Sequence, residues 1–144
     1  MSLRLQVRRG ASRLVILVGD FAIKIPLVTK GGAAFLLGCL GNLNERRIWI
    51  DSMGDCRLAR TLIAFPLGVL AVAERHDRIV GRRLTRDEML SLPLADFSGE
   101  SGVDDNGHNV AHGGDGLVVI DYGSPGLMYV ADGPTLVRGM PRTG

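Results

Sequence analysis

Asp104-Asp-Asn-Gly-His-Asn109, followed by Leu117-Val-Val-Ile-Asp121-Tyr-Gly123, is the stretch on which the reading of this chain turns. A loop rich in Gly, Asp, Asn and His runs over residues 98–116 and feeds four consecutive apolar residues, 117–120. A short apolar run bounded by turn residues reads as a buried strand. Asp121 then stands at the strand's exit, where the backbone holds it in place. Asp104 and Asn109 wait on the loop before it. Such carboxylate and amide side chains can build a functional site. Asp and Asn are also ordinary turn residues, so the rest of the chain has to decide between the two readings.

Working outward from that stretch, residues 3–9 (LRLQVRR) alternate apolar and polar, the period of a half-buried strand. Residues 13–18 (RLVILV) and 21–26 (FAIKIP) are two more strands, set off by Gly10-Ala-Ser12 and Gly19-Asp20 and closed by Pro26. Tight turns between three strands make an antiparallel meander. From Ala33 to Ser52 the spacing of Leu36, Leu37, Leu40, Leu43 and Ile48 turns helical. Gly38 and Gly41 are expected to break this helix in two, with Asn42 or Asn44 capping the second piece and Gly54 ending it. A strand pair at 57–64 and 67–73 flanks Pro66, and Glu74-Arg75-His76-Asp77 is a polar crossing. A short helix within 84–97 starts at Thr85 and stops at Pro93. The order predicts an α+β fold: residues 1–75 form an antiparallel sheet with one main helix, and 76–144 a smaller second lobe.

The Asp104-to-Asn109 spacing and the strand ending in Asp121-Tyr-Gly123 resemble the catalytic loop (D-x-x-x-x-N) and the D-F-G metal-binding triplet of protein kinases. Phe21-Ala-Ile-Lys24 resembles the V-A-I-K strand of the same fold, and it falls on the third strand. Asn44-Glu45 falls on the next helix, where a kinase carries the Glu that pairs with this Lys. The resemblance covers roughly Gly10 to Gly123 and implies a kinase-like, Mg-ATP-binding protein. Under it, Asp104 orients the acceptor hydroxyl, Lys24 leans on phosphates with Glu45 as its partner, and Asn109 and Asp121 hold Mg²⁺. Ser12 and Arg13 stand where a phosphate-covering loop would be. The backbone from Val72 to Arg75, around Glu74, becomes the segment facing an adenine edge.

The departures define a second reading. The Gly-rich loop is reduced to Gly10-Ala-Ser12-Arg13, Gly102-Val103 replaces the H-R leader, and Asp105 rivals Asp104 as base. Only 21 residues follow Gly123, with no A-P-E segment. A catalytically inactive scaffold on a kinase-like fold, binding and regulating another protein or pairing with itself through the reduced second lobe, is the alternative. Small chains of this kind look like kinase-like proteins of bacteria and their phages. His108 and His112 are four apart, but the glycines around them argue against the helix a metal pair needs.

Composition bounds both readings. In 144 residues, 46% are hydrophobic and 22% charged, ordinary for a globular domain. The net charge of +2 gives no argument for nucleic acid. Of 17 basic residues only Lys24 and Lys30 are lysine, so an ammonium at position 24 stands out against an Arg-rich background. Two cysteines, Cys39 and Cys56, without metal-like spacing fit a reduced, cytoplasmic chain. No apolar run reaches about 18 residues, the length that suggests a membrane span.

Overall fold

The computed structural model describes residues 5–134. The expected start of the first strand at residues 3–4, and the tail beyond Pro134, lie outside the described residues. The chain is α+β, with a five-stranded antiparallel sheet and one main helix. Strands β1 (Gln6–Arg9), β2 (Arg13–Val18) and β3 (Phe21–Pro26) form the meander expected from three strands joined by tight turns. After the helix α1 (Gly32–Asp51) come β4 (Thr61–Ala64) and β5 (Ala71–Glu74), and β5 inserts between β3 and β4 to give the order β1-β2-β3-β5-β4.

Register across the sheet puts side chains of one parity on one face. Val15 pairs with Lys24, and Lys24 with Ala71; Leu17 pairs with Ala22, and Ala22 with Ala73. Arg13, Leu17, Ala22, Lys24, Ala71 and Ala73 are all buried. This face receives α1. Ala22, Ala71 and Ala73 are small, which lets a helix and a lysine side chain share the space above them.

The glycines that were expected to break α1 do not. The helix runs unbroken for 20 residues, because Gly38 and Gly41 face the sheet and its flanking loops. A Cβ at Gly38 would lie 2.6 Å from the Ser12 carbonyl oxygen and 2.8 Å from Pro26 Cβ. Gly38 therefore marks a close approach of helix to sheet and not a helix end. Asn42 caps nothing; it is fully buried mid-helix.

Beyond β5 the chain builds smaller pieces. Helix α2 is only Arg86–Leu90, opened by a capping box in which Thr85 accepts from Glu88 N and the Glu88 carboxylate accepts from Thr85 N. Strand β6 (Leu94–Ala95) pairs with β9 (Met128–Tyr129). The expected loop over 98–116 contains a strand: β7 (Val110–Gly113) and β8 (Gly116–Val119) form a hairpin about Gly114-Asp115. A Gly-Asp pair between short strand-like runs is a hairpin signal. Leu58, Leu84, Leu92, Leu94, Val103, Val110, Val119, Tyr122 and Leu127 make one core with Ile48, and Trp49 packs against it. That core draws on α1 as well as on the second half of the chain. Among the described residues, no helix is long and apolar enough to cross a membrane.

Candidate functional site

The buried face of α1 is polar where it crosses the sheet. Asn42 and Glu45 are one helical turn apart and both fully buried. Glu45 is the hub. Its Oε1 accepts from Lys24 Nζ at 2.6 Å and from the Tyr122 amide at 3.1 Å, and its Oε2 accepts from Arg13 Nη1 at 3.0 Å. Lys24 Nζ also donates to the Ile120 carbonyl at 2.9 Å. Arg13 Nη2 closes the chain of charges with a salt bridge to Asp121 Oδ1. Asn42 ties the frame together: Nδ2 donates to the Lys24 carbonyl at 3.1 Å and the Gly68 carbonyl at 2.8 Å, while Oδ1 accepts from Arg13 at 3.1 Å. Two cations meet two carboxylates, so the group is formally neutral. That neutrality is what makes its three buried members, Arg13, Lys24 and Glu45, tolerable at this depth.

Their pKa values follow from that arrangement. Burial opposes charge on Arg13, but Glu45 and Asp121 outweigh it and raise the guanidinium above its ordinary value. Burial pushes the Asp121 carboxyl up, but the charges of Arg13 and Lys24, together with hydrogen bonds from Gly123 and Arg13, hold it below the usual carboxylate range. Asp121 is nonetheless the exposed end of the chain of charges, its side chain 46% accessible.

The hairpin places Asn109 near Asp121. Val110 pairs with Val119, so the residues flanking them lie side by side at the hairpin base, and the Ile120 amide donates to the Asn109 carbonyl at 2.9 Å. Asn109 and Asp121 share a cleft of about 490 Å³ with Gly10, Ser12, Arg13 and Gly123. The Gly10–Arg13 turn is tight, with the Gly10 amide donating to the Arg13 carbonyl at 2.8 Å.

Of the residues singled out by sequence, Ser12, Arg13, Asn109 and Asp121 line this cleft. Lys24 and Glu45 are joined as an ion pair behind Arg13, which is the cation on the cleft wall. Asp104 and Glu74 are not among the lining residues. Asp104 is exposed on the loop before β7, and its neighbour Asp105 pairs with Arg83 at 2.8 Å. Glu74 belongs to a separate cavity of about 260 Å³ with Trp49, Arg60 and His76. The backbone around it is committed to the sheet: the Glu74 and Arg75 amides donate to the Arg60 and Asp20 carbonyls at 2.8 and 2.9 Å. Those bonds leave these two amides with nothing to offer an adenine edge.

Sequence reasoning missed three contributors. Asn42 is one; an Asn three residues before Glu45 on the same helix face was the available signal. Gly123 is another, since a Cβ there would collide with the Gly41 carbonyl and so push α1 off the 121–123 segment. The third is the Tyr122 hydroxyl. It donates to the Ala59 carbonyl at 2.6 Å and shares a 2.9 Å hydrogen bond with Thr61, anchoring the segment that carries Asp121 to the start of β4. Burial raises the pKa of this phenol, which stays protonated and able to donate.

Among the described residues, no group of three metal-ligating side chains forms. His108 and His112 are exposed. Comparison with protein-family models and with curated proteins gave no match.

Proposed function

We propose that this protein is a nucleotide-binding protein of kinase-like build that takes Mg-ATP at the Arg13–Asn109–Asp121 cleft, in the manner of a minimal phosphotransferase. The observation that carries this reading is the buried Lys24–Glu45 pair continued through Arg13 to Asp121 at the cleft wall. A structural ion pair needs no such extension to an accessible carboxylate.

The donor set fits the ion modestly. Asp121 supplies a carboxylate and Asn109 an amide oxygen, and Mg²⁺ commonly takes one or two protein ligands with water and phosphate completing its shell. Bound there, the ion would offset the clustered charge of the phosphates. The chain's own residues do the rest. Arg13 presents a planar, permanently charged fork to phosphate oxygens. Glu45 keeps Arg13 and Lys24 aimed. Ser12 offers a hydroxyl at the cleft rim. A ligand that draws Arg13 toward phosphate would release Asp121 for the metal. The two free cysteines, Cys39 and Cys56, fit a reducing, cytoplasmic setting.

A second reading, a catalytically inactive scaffold that regulates another protein, is favoured by one observation. Asp104, the carboxylate assigned to the acceptor, does not line the cleft. Nucleotide could then bind without being used.

The test is the thermal midpoint with and without Mg-ATP, for the wild type and Asp121→Asn. Native-state binding at 100 times Kd stabilises by about 2.7 kcal/mol. A Mg²⁺-dependent rise that Asp121→Asn removes supports the nucleotide site, and phosphate release or transfer then separates enzyme from scaffold. No rise in the folded wild type at millimolar Mg-ATP refutes nucleotide binding.

A further inference from the structure

We infer that α1 is a dimerisation helix: its outer face docks antiparallel against the same face of a second copy of this chain. The pattern is in the spacing. Ala33, Leu36, Leu40, Leu43, Arg47 and Ile50 follow one another at intervals of 3, 4, 3, 4 and 3 residues. That is the a/d seam of a helix pair. Every one of these positions is exposed, with Leu36 at 61%, Leu40 at 51% and Ile50 at 58%. The opposite face is spent on the sheet and on Glu45, so the seam has no partner within the described chain.

Three observations select a second copy, and antiparallel. The first is Arg47 in the seam. A parallel pair would stack Arg47 on Arg47, placing like charges in one layer. An antiparallel pair that sets Leu40 against Leu43 of the other copy sets Arg47 against Leu36, and Ile50 against Ala33. The second is charge at the flank. Lys30 lies two residues before α1, exposed, with Nζ donating to the Ala11 carbonyl at 3.4 Å, and Asp51 is the last residue of the helix, so opposite charges stand at its two ends, where ion pairs can set orientation. Antiparallel pairing brings Lys30 of each copy to Asp51 of the other, where the carboxylate also meets the N-terminal end of the facing helix. The third is a hole beside the seam. Leu40, Leu43, Asn44, Arg47, Pro125 and Gly126 line a cavity of about 330 Å³. In the same register Leu37, exposed on the flank, lies opposite Asn44 of the other copy and enters that hole, twice by symmetry. Leu67 extends the surface on the far side. It is 80% exposed and held at φ 62°, a left-handed conformation uncommon for leucine, with Gly68 packed against Leu43.

Two helices of about 30 Å make a small interface, so the dimer should form at about 10–100 µM, the weak end of specific association. Sedimentation equilibrium across that range tests it, on the full chain, with circular dichroism to establish folding. The expected result is a reversible monomer–dimer equilibrium for the wild type, weakened at least about tenfold by Leu40→Glu. Lys30→Glu and Asp51→Lys should each weaken it several-fold, and the double variant should restore it. A wild type that stays monomeric overturns the proposal. So does a dimer indifferent to Leu40→Glu, or one that the charge-swapped double variant fails to restore.

Discussion

The two faces of α1 invert the usual amphipathic helix. Its inner face buries Asn42 and Glu45 between glycines, and its outer face shows Leu36, Leu37, Leu40, Leu43 and Ile50 to solvent. A helix that merely covered a sheet would do the reverse. The inner face was shaped by what must be held, a carboxylate reaching two cations and a backbone brought within van der Waals range of Ser12 and Pro26. Stability at that face comes from satisfied polar groups and close packing. The outer face carries apolar area whose burial the described chain does not provide. The comparison teaches that leucines can be the wrong guide to a core when a polar site occupies the core-facing side.

The largest blow to the inner face should be Glu45→Ala. It leaves Lys24 and Arg13 buried without their shared carboxylate, and removing one partner of a buried pair costs about 3–5 kcal/mol. Urea unfolding measures it; a loss below about 1 kcal/mol would mean that the network contributes little to folding. Next is Gly38→Ala. Alanine gains up to about 1 kcal/mol in helix propensity, but its Cβ meets Ser12 and Pro26 at 2.6 and 2.8 Å. Overpacking of that kind costs about 1–3 kcal/mol, so net destabilisation is expected from the same unfolding curves.

Acid should act through Asp121, which meets the inner face, and through Glu88 on α2. Asp121 and Glu88 both titrate below their ordinary values when folded, Glu88 at about 2 through Arg82 and the Thr85 amide. The unfolded chain, with carboxyls near 4, therefore binds protons first. The stability these groups contribute is complete above that value and lost as pH falls through the folded ones. Thermal midpoints measured from pH 6 down to pH 2 should fall below about pH 4. The fall should be smaller in Asp121→Asn; an equal fall would assign it to other carboxylates.

Gly41→Ala sharpens the contrast within one face. Its Cβ would sit 3.5 Å or more from its neighbours, an ordinary contact. The variant should be neutral or more stable by up to about 1 kcal/mol. If it destabilises as Gly38→Ala does, the helix sits closer to the 121–123 segment than described. The smallest effect belongs to the outer face: Leu40→Ser, studied dilute enough for monomer, should change unfolding by no more than about 0.5 kcal/mol.

Sequence alone determined the first three strands, because strand-forming runs between turn residues need no partner to be read, whereas β6, β7 and β9 are not read from it. Residues 13–18 and 21–26 emerge with the bounds their flanking turn residues give, and the Thr85 capping box is equally local. It also put Lys24 on the third strand and Glu45 on the helix that follows, and these two meet at 2.6 Å. Tertiary structure alone decided the rest. Gly38 and Gly41 look like breakers until a sheet lies against them, since a glycine's close approach is a property of two segments. Arg13 reads as a loop cation until Glu45 and Asp121, 32 and 108 residues away, converge on it. Asp104 matches a spacing, but spacing fixes distance along the chain and not in space. The β7–β8 hairpin set which oxygens face Asp121, and it brought Asn109 there and left Asp104 outside.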